Sequence, residues 1–349
     1  MSREPASTII VVDDEEPMRQ YLYDVLSRQG YDCKCFEGSL GALAYMASTS
    51  QSPHLMLTDI SMPGMDGMDL LRTVKTVSPQ TPVILISGLY ELALAIEALK
   101  GGASDYLLKP ATPRDVIRLV NRHLRPEAQN GPQALRSALA RFLRNRQQHG
   151  TDFEDAREIF EVLGFKRFET LQHSKRVAAH AELLGQFLRL PEKMLSRLKL
   201  GALLHDIGKI AIPHNVLMKP GPLNEAEWTV MRLHPRIGWE LMVEFPELTI
   251  ESEIVYTHHE RYDGQGYPRR LKGEEIPLGA RIFAIADTLD AMTSDRPYRR
   301  GRPCEEARSE IQRHAAAQFD PRLVREFTRI PVVEMEGIRE RYPDTESDD

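Results

Sequence analysis

Cysteine is scarce: Cys33, Cys35 and Cys304 are the only three in 349 residues. An odd number without zinc-ligand spacing excludes both a disulfide framework and a cysteine metal knuckle. Cys33 and Cys35 are two apart and share a face if the stretch is a strand, so packing is their expected role. Long apolar runs are missing as well, and none approaches the ~20 residues that a membrane helix requires. The opening MSREPAST carries no signal-type apolar stretch, which makes the cytoplasm the expected compartment and leaves no membrane partner. Positive charge is not in excess: 45 Lys and Arg stand against 51 Asp and Glu, a net of -6. That balance argues against a dedicated DNA binder, which would show a basic stripe.

What is present is enough apolar character for two cores, 42% of the residues, in a chain too long for one ordinary domain. The first part alternates short apolar runs with amphipathic stretches, and strands are expected at Thr8–Val12, Tyr31–Phe36, His54–Thr58, Pro82–Ser87 and Asp105–Leu108. Strand–helix alternation implies an α/β doubly wound, parallel five-stranded sheet covered on both faces. A turn-prone RPEAQNG at Arg125–Gly131 ends it, and a basic helical stretch follows. From Asp152 the pattern is almost entirely helical, interrupted by Gly/Pro-rich loops at Ile212–Leu223 and Tyr262–Leu278. The expected segmentation is an α/β domain over residues 1–126, a helical linker over 127–150, an all-α helical bundle over 151–333 and an acidic flexible tail over 334–349.

Ligands in open α/β sheets gather at the carboxyl ends of the strands. Here those ends read Asp13-Asp14, Asp59, Ser87 and Lys109. Carboxylates brought together repel unless a cation neutralises them, and hard oxygen ligands with open water positions suit Mg²⁺. Such an ion can hold a phosphoryl group over a carboxylate nucleophile while a lysine pairs with the developing charge. The ordered set VVDDE, LTDISMPGMDG, ILISG and DYLLKP resembles response-regulator receiver domains over roughly residues 7–125. The resemblance implies that Asp59 accepts the phosphoryl group and that Asp13, Asp14, Asp59 and the backbone carbonyl near Ser61 hold Mg²⁺. It makes Ser87 the switch hydroxyl, Tyr106 the switch aromatic and Lys109 the paired cation, with a sensor histidine kinase as partner.

Eight of the eleven histidines lie between His173 and His314. Glu169 and His173 are four apart on a helical stretch and can reach a common ion; His205-Asp206 closes the apolar KLGALL; His258-His259 precedes a Gly-rich turn. Imidazole is the commonest side-chain metal ligand and carboxylates bridge cations. Five histidines with Glu169, Asp206 and Asp287 exceed what one ion requires, so two or three are indicated. Several ions suit a phosphodiester, because paired cations lower the pKa of a water nucleophile and clamp both attacking and leaving oxygens.

The ordered set HDIGKIAIPHNVLMKPGPL, HPRIGWELM, HHERYDGQGYP and ADTLDAMTSDRPYRR resembles the HD-GYP subgroup of the HD hydrolases over about Glu169–Phe327. These are cyclic di-GMP phosphodiesterases with di- or trinuclear iron or manganese sites. The resemblance implies metal ligation by His173, His205, Asp206, His234, His258, His259 and Asp287, with Glu169 marking a trinuclear site and Asp206 bridging ions. It makes Asp206 and Lys209 the catalytic residues, with Lys209, Arg296 and Arg299 meeting substrate phosphate. Arg299 departs from the lysine frequent there. The loop Asp263, Gly264, Gln265, Gly266, Tyr267 and Pro268 is either a structural turn or a contact for GGDEF-domain proteins. His180 is left to packing and His214 to solvent, and His314 lies beyond the motif region.

The expected activity is hydrolysis of cyclic di-GMP to pGpG, with GMP as a further product, under control of Asp59 phosphorylation. The alternatives are a non-hydrolytic dinucleotide sensor or docking module, or a hydrolase of cyclic GMP–AMP. A homodimer is a candidate assembly.

Overall fold

The computed structural model describes residues 7–49, 51–88, 97–98, 101–124, 132–149, 156–163, 171–217, 219, 221–295 and 300–343. By its contacts the chain divides into two compact units, Met1–Arg141 with Ile210–Met231, and Phe142–Lys209 with Arg232–Asp349.

In the first unit, β1 (Thr8–Val12), β2 (Asp32–Phe36), β3 (Leu55–Asp59), β4 (Val83–Ser87) and β5 (Asp105–Leu108) form one parallel sheet in the order β2-β1-β3-β4-β5. Every expected strand is present, and no end shifts by more than one residue. β3 and β4 are buried along their whole length, which is why they read as nearly continuous apolar runs rather than alternating ones. The helices Glu16–Ser27 and Pro113–Leu124 bring Leu22, Leu26, Leu119 and Val120 into one core with Ile9, Val11 and Leu57. The Gly67–Val77 helix starts at Asp66, whose carboxylate accepts the Asp69 N–H at 2.8 Å. Parallel pairing sets Asp59 opposite Ile86 and Ser87 opposite Leu108, so the carboxyl ends of β3, β4 and β5 lie along one edge. Cys33 packs against this core and Cys304 is buried, as expected, whereas Cys35 on the edge strand β2 is exposed.

The second unit is helical. Leu171–Phe187 packs on Glu192–Leu203 and on Leu278–Thr293, while Thr249–Thr257 packs on Glu192–Leu203 and on His234–Met242. The bundle thus gathers the ends of several helices around one point. The Pro132–His149 helix lies within the expected helical linker and carries buried Leu135, Ala138, Leu139, Phe142 and Leu143. One feature departs from the expected segmentation. The acidic tail is shorter than 334–349, because Val332–Arg341 is a helix packed on Leu171–Phe187 and Cys304–Arg313. Met335 and Ile338, three apart, form its buried stripe, and burial of that pair outweighs the charge that surrounds it. Among the described residues, no helix is long and apolar enough to cross a membrane.

Candidate functional site

In the first unit the strand ends converge as the sequence implies. Asp13 and Asp59 are buried. Lys109 reaches both, ion-pairing with Asp59 Oδ1 and lying 3.3 Å from Asp13 Oδ2. The Glu15 N–H donates to Asp13 Oδ1 and the Ser61 N–H to Asp59 Oδ2, each at 2.9 Å. Burial raises the carboxyl pKa of both acids despite the opposing pull of Lys109. Burial alone would lower Lys109, but the two carboxylates outweigh it and raise its pKa. The pocket is therefore short of positive charge, the condition that a divalent cation relieves. Asp14 is half-buried beside Asp13, and Ser61 is exposed. Ser87 Oγ and Tyr106 OH are both buried without a hydrogen-bond partner among the described residues.

In the second unit, seven donors that lie far apart in sequence come together. His173 stands in the first turn of Leu171–Phe187; His205 and Asp206 follow Glu192–Leu203; His234 opens its helix; His258 and His259 follow Thr249–Thr257; Asp287 lies within Leu278–Thr293. Ligand atoms of His234, His258 and His259 all lie within 4.8 Å of one another, as do those of His173, His205 and Asp287. Asp206 stands between the two groups: Oδ2 is 2.8 Å from His205 Nε2, and Oδ1 is 3.2 Å from His234 Nε2. Lys209 Nζ donates to the same Oδ2 at 2.8 Å. Glu169, Arg296 and Arg299 lie outside the described residues.

The hydrogen bonds of the imidazoles reveal which nitrogens face inward. Nδ1 of His205 lies 2.9 Å from the Ala202 carbonyl, and Nδ1 of His258 lies 2.7 Å from that of Val255. A carbonyl only accepts, so in each ring Nδ1 carries the proton and Nε2 presents a lone pair. The His205 lone pair then confronts an acceptor, a carboxylate oxygen of Asp206, while His258 Nε2 points at His234 Nε2, 3.1 Å away. A cation beside His205 and Asp206 converts that repulsion into ligation, and the converging imidazole nitrogens offer it further ligands, so the donor set fits divalent metal. Burial, with the neighbouring imidazoles His259 and His234, pushes His258 well below the ordinary histidine pKa and keeps it a neutral ligand.

Several supporting residues escape sequence reasoning. Asp290 Oδ2 receives His173 Nδ1 at 2.7 Å and is itself gripped by Arg176, whose Nη2 lies 3.2 Å from it. Arg176 also donates to Ser294 Oγ at 3.0 Å and to the Tyr342 carbonyl at 2.9 Å, tying the end of the C-terminal helix to this network. Burial would raise Asp290, but His173 and Arg176 hold its carboxyl well below the usual range. The available signal was spacing: Asp290 follows Asp287, and Arg176 follows His173, by three residues, one helical turn. Phe283, four before Asp287, packs its ring against His205 and His258 at centroid distances of 4.8 and 5.4 Å.

Close backbone approach sets the spacing between elements. A Cβ on Gly208 would lie 2.0 Å from the His234 carbonyl oxygen, so only glycine lets the Asp206 turn press against the start of the His234 helix. A Cβ on Gly266 would lie 2.6 Å from the His259 carbonyl oxygen. The loop at 263–268 folds back accordingly. Asp263 Oδ1 accepts the Gln265 N–H at 2.9 Å, and buried Glu260 accepts the N–H groups of Arg269 and Leu271 at 2.7 and 3.0 Å. The Tyr267 ring stacks on His259 at 4.7 Å, and Pro268 follows through a cis peptide bond. His180 is buried with neither ring nitrogen partnered among the described residues, and burial lowers its pKa to about 4, consistent with packing. His314 is exposed, and the side chain of His214 lies outside the described residues.

Residues 9–121 match the response regulator receiver domain family and residues 160–323 the HD domain family. The chain is 30% identical to a cyclic di-GMP phosphodiesterase of Thermotoga maritima, over 93% of this chain and 90% of that protein. It is 35% identical to the cyclic di-GMP phosphodiesterase response regulator RpfG of Xanthomonas campestris pv. campestris, over 90% of this chain and 85% of the relative. A 3'3'-cGAMP-specific phosphodiesterase of Vibrio cholerae is 40% identical, over 45% of this chain and 30% of that protein. With both family signatures in order and relatives matched along nearly their whole length, the chain belongs to the response regulators in which a receiver domain precedes an HD-GYP domain, a metal-dependent phosphodiesterase.

Proposed function

We propose that this protein hydrolyses cyclic di-GMP to linear pGpG, with GMP as a further product, and that phosphorylation of Asp59 by a sensor histidine kinase sets its rate. The observation that carries the reading is the pair of donor triads with the Asp206 carboxylate between them. In this reading His173, His205 and Asp287 would hold one iron or manganese ion and His234, His258 and His259 a second, with the Asp206 carboxylate within reach of both groups. Glu169 adds a third ion. When bound, the ions supply an activated water and neutralise the leaving oxygen. The chain's own residues do the rest. Lys209, Arg296 and Arg299 orient substrate phosphate, Phe283 excludes water from the histidine side, and Asp290 keeps the Nδ1 proton of His173 in place. In the receiver, Asp13, Asp14, Asp59 and the Ser61 carbonyl hold Mg²⁺. Ser87 and Tyr106 report phosphorylation through hydroxyls that have no competing partner among the described residues.

The full-length relatives, both named for cyclic di-GMP, favour that substrate over cyclic GMP–AMP, whose specific hydrolase matches only part of the chain. Protein purified without oxygen and loaded with Mn²⁺ or Fe²⁺ should convert cyclic di-GMP to pGpG, read by chromatography. Fully metallated protein that binds cyclic di-GMP without turning it over would make the chain a sensor. Faster turnover of cyclic GMP–AMP would reassign the substrate.

A further inference from the structure

A carboxylate inside a helical bundle needs a partner, because its desolvation is costly. Glu251, in the first turn of Thr249–Thr257, has a side chain only 1% exposed. Its Oε2 has no hydrogen-bond partner among the described residues, and its Oε1 lies 3.7 Å from Nη1 of Arg146. Arg197 adds a second favourable charge. Nη2 of Arg146 donates in turn to Ser196 Oγ at 3.3 Å. One guanidinium on Pro132–His149 therefore holds two other helices at once, Thr249–Thr257 through Glu251 and Glu192–Leu203 through Ser196.

Those two helices pack on each other and deliver four of the seven described donors. Glu192–Leu203 leads into His205 and Asp206, and Thr249–Thr257 into His258 and His259. Each is gripped near its amino end and carries its donors just past its carboxyl end. Each is thus a rigid arm of about 10–13 Å between grip and donor. Pro132–His149 also lies on the covalent path between the receiver, residues 9–121, and the HD domain, residues 160–323.

We infer that Arg146 is a positioning residue that carries control from the receiver to the metal centre, by fixing the two donor-bearing helices to the helix that precedes them in the chain. The inference rests on the proposed control by phosphorylation of Asp59. A shift of Pro132–His149 passes through Arg146 into both arms and alters the spacing of Asp206 from His258 and His259. Rigid helices transmit such a displacement with little loss. Metal affinity and turnover then respond together, because both depend on that spacing.

The test measures cyclic di-GMP hydrolysis and Mn²⁺ affinity of the full chain, each with and without acetyl phosphate. In wild type both should differ between the two conditions, the rate by about 5–150-fold. Glu251→Met is the decisive variant, because an apolar side chain of similar length removes the contact without leaving a buried charge alone. It should bring the ratio of the two rates to within about twofold of one and abolish the difference in Mn²⁺ affinity. Glu251→Gln, which keeps an acceptor for Arg146, should recover part of the response. Arg146→Ala should match Glu251→Met, and the double variant should be no worse than either, since the two residues act as one unit. Acetyl phosphate should label Asp59 in every variant as it does in wild type. A wild-type ratio retained by Glu251→Met would overturn the role of Arg146 and leave the hydrolase and its control standing. Wild-type protein that is labelled at Asp59 and hydrolyses at an unchanged rate would overturn control by phosphorylation and the inference together.

Discussion

The two sites of this protein solve the problem of convergent charge in opposite ways. In the receiver, acids meet at the ends of parallel strands with a built-in lysine as their counter-ion, and burial leaves both Asp13 and Asp59 with raised pKa values. In the HD unit, five of the seven donors are imidazoles, and the outer nitrogens of His173, His205 and His258 are spoken for by Asp290 or by backbone carbonyls. A pocket of oxygens that holds its own lysine suits a cation that comes and goes with phosphate chemistry. A cage of oriented nitrogens suits ions that stay. The comparison separates a switch, which must be reversible, from a hydrolytic centre, which must be preorganised.

The largest effect should come from removing the bridge. Asp206→Ala should strip most bound metal and reduce hydrolysis to background, while acetyl phosphate still labels Asp59; elemental analysis and phosphoprotein gels read both. Loss of labelling as well would mean that the two sites do not behave independently. Next comes Asp290→Asn, which weakens the hold on His173 and on the buried Arg176. Metal affinity or activity should drop by about 10–100-fold, with a lower unfolding midpoint. Unchanged metal binding would show that His173 needs no outer partner.

A smaller change is expected from Asp59→Asn. Basal hydrolysis should persist, and the response to acetyl phosphate, of the order of 5–150-fold for typical coupling energies, should vanish. A response that survives would place control elsewhere.

The smallest effect concerns pH, and its sign differs between the units. Asp59 has a raised folded pKa, so the stability tied to its neutral form is present below the unfolded value of about 3.9 and is lost as pH rises through the folded one. In magnesium-free buffer, Asp59→Asn should therefore raise the receiver's melting temperature near neutrality by about 2 °C or more, and the gain should disappear below about pH 4. Asp290 is shifted the other way, so its contribution is present above about pH 3.9 and is lost only as pH falls through its lower folded value. Scanning calorimetry of wild type and both variants from about pH 2 to 8 would expose a wrong sign in either unit.

Much of this was legible in the residues. The β3 stretch reads as a strand because it is buried on both faces, and Asp13, Asp59 and Lys109 stand where strand ends must bring them together. The seven described histidine and aspartate donors were found from ordered motifs, and all seven gather in one place. Asp290 and Arg176 are not legible there, because each is an ordinary charged residue on a helix until the fold buries the pair. In sequence the C-terminal helix looks like tail, because its two buried residues are outnumbered by charge.

The sequence by itself determined the kinds of donor, their order and the two domain types, since hydrophobic period and residue chemistry are local properties. Only the tertiary structure decided which nitrogens of His205 and His258 face the centre, which carboxylate braces His173 and how Asp206 stands between the triads. Those depend on backbone carbonyls and glycine contacts such as that of Gly208 with the His234 turn, which exist only after helices distant in sequence have packed.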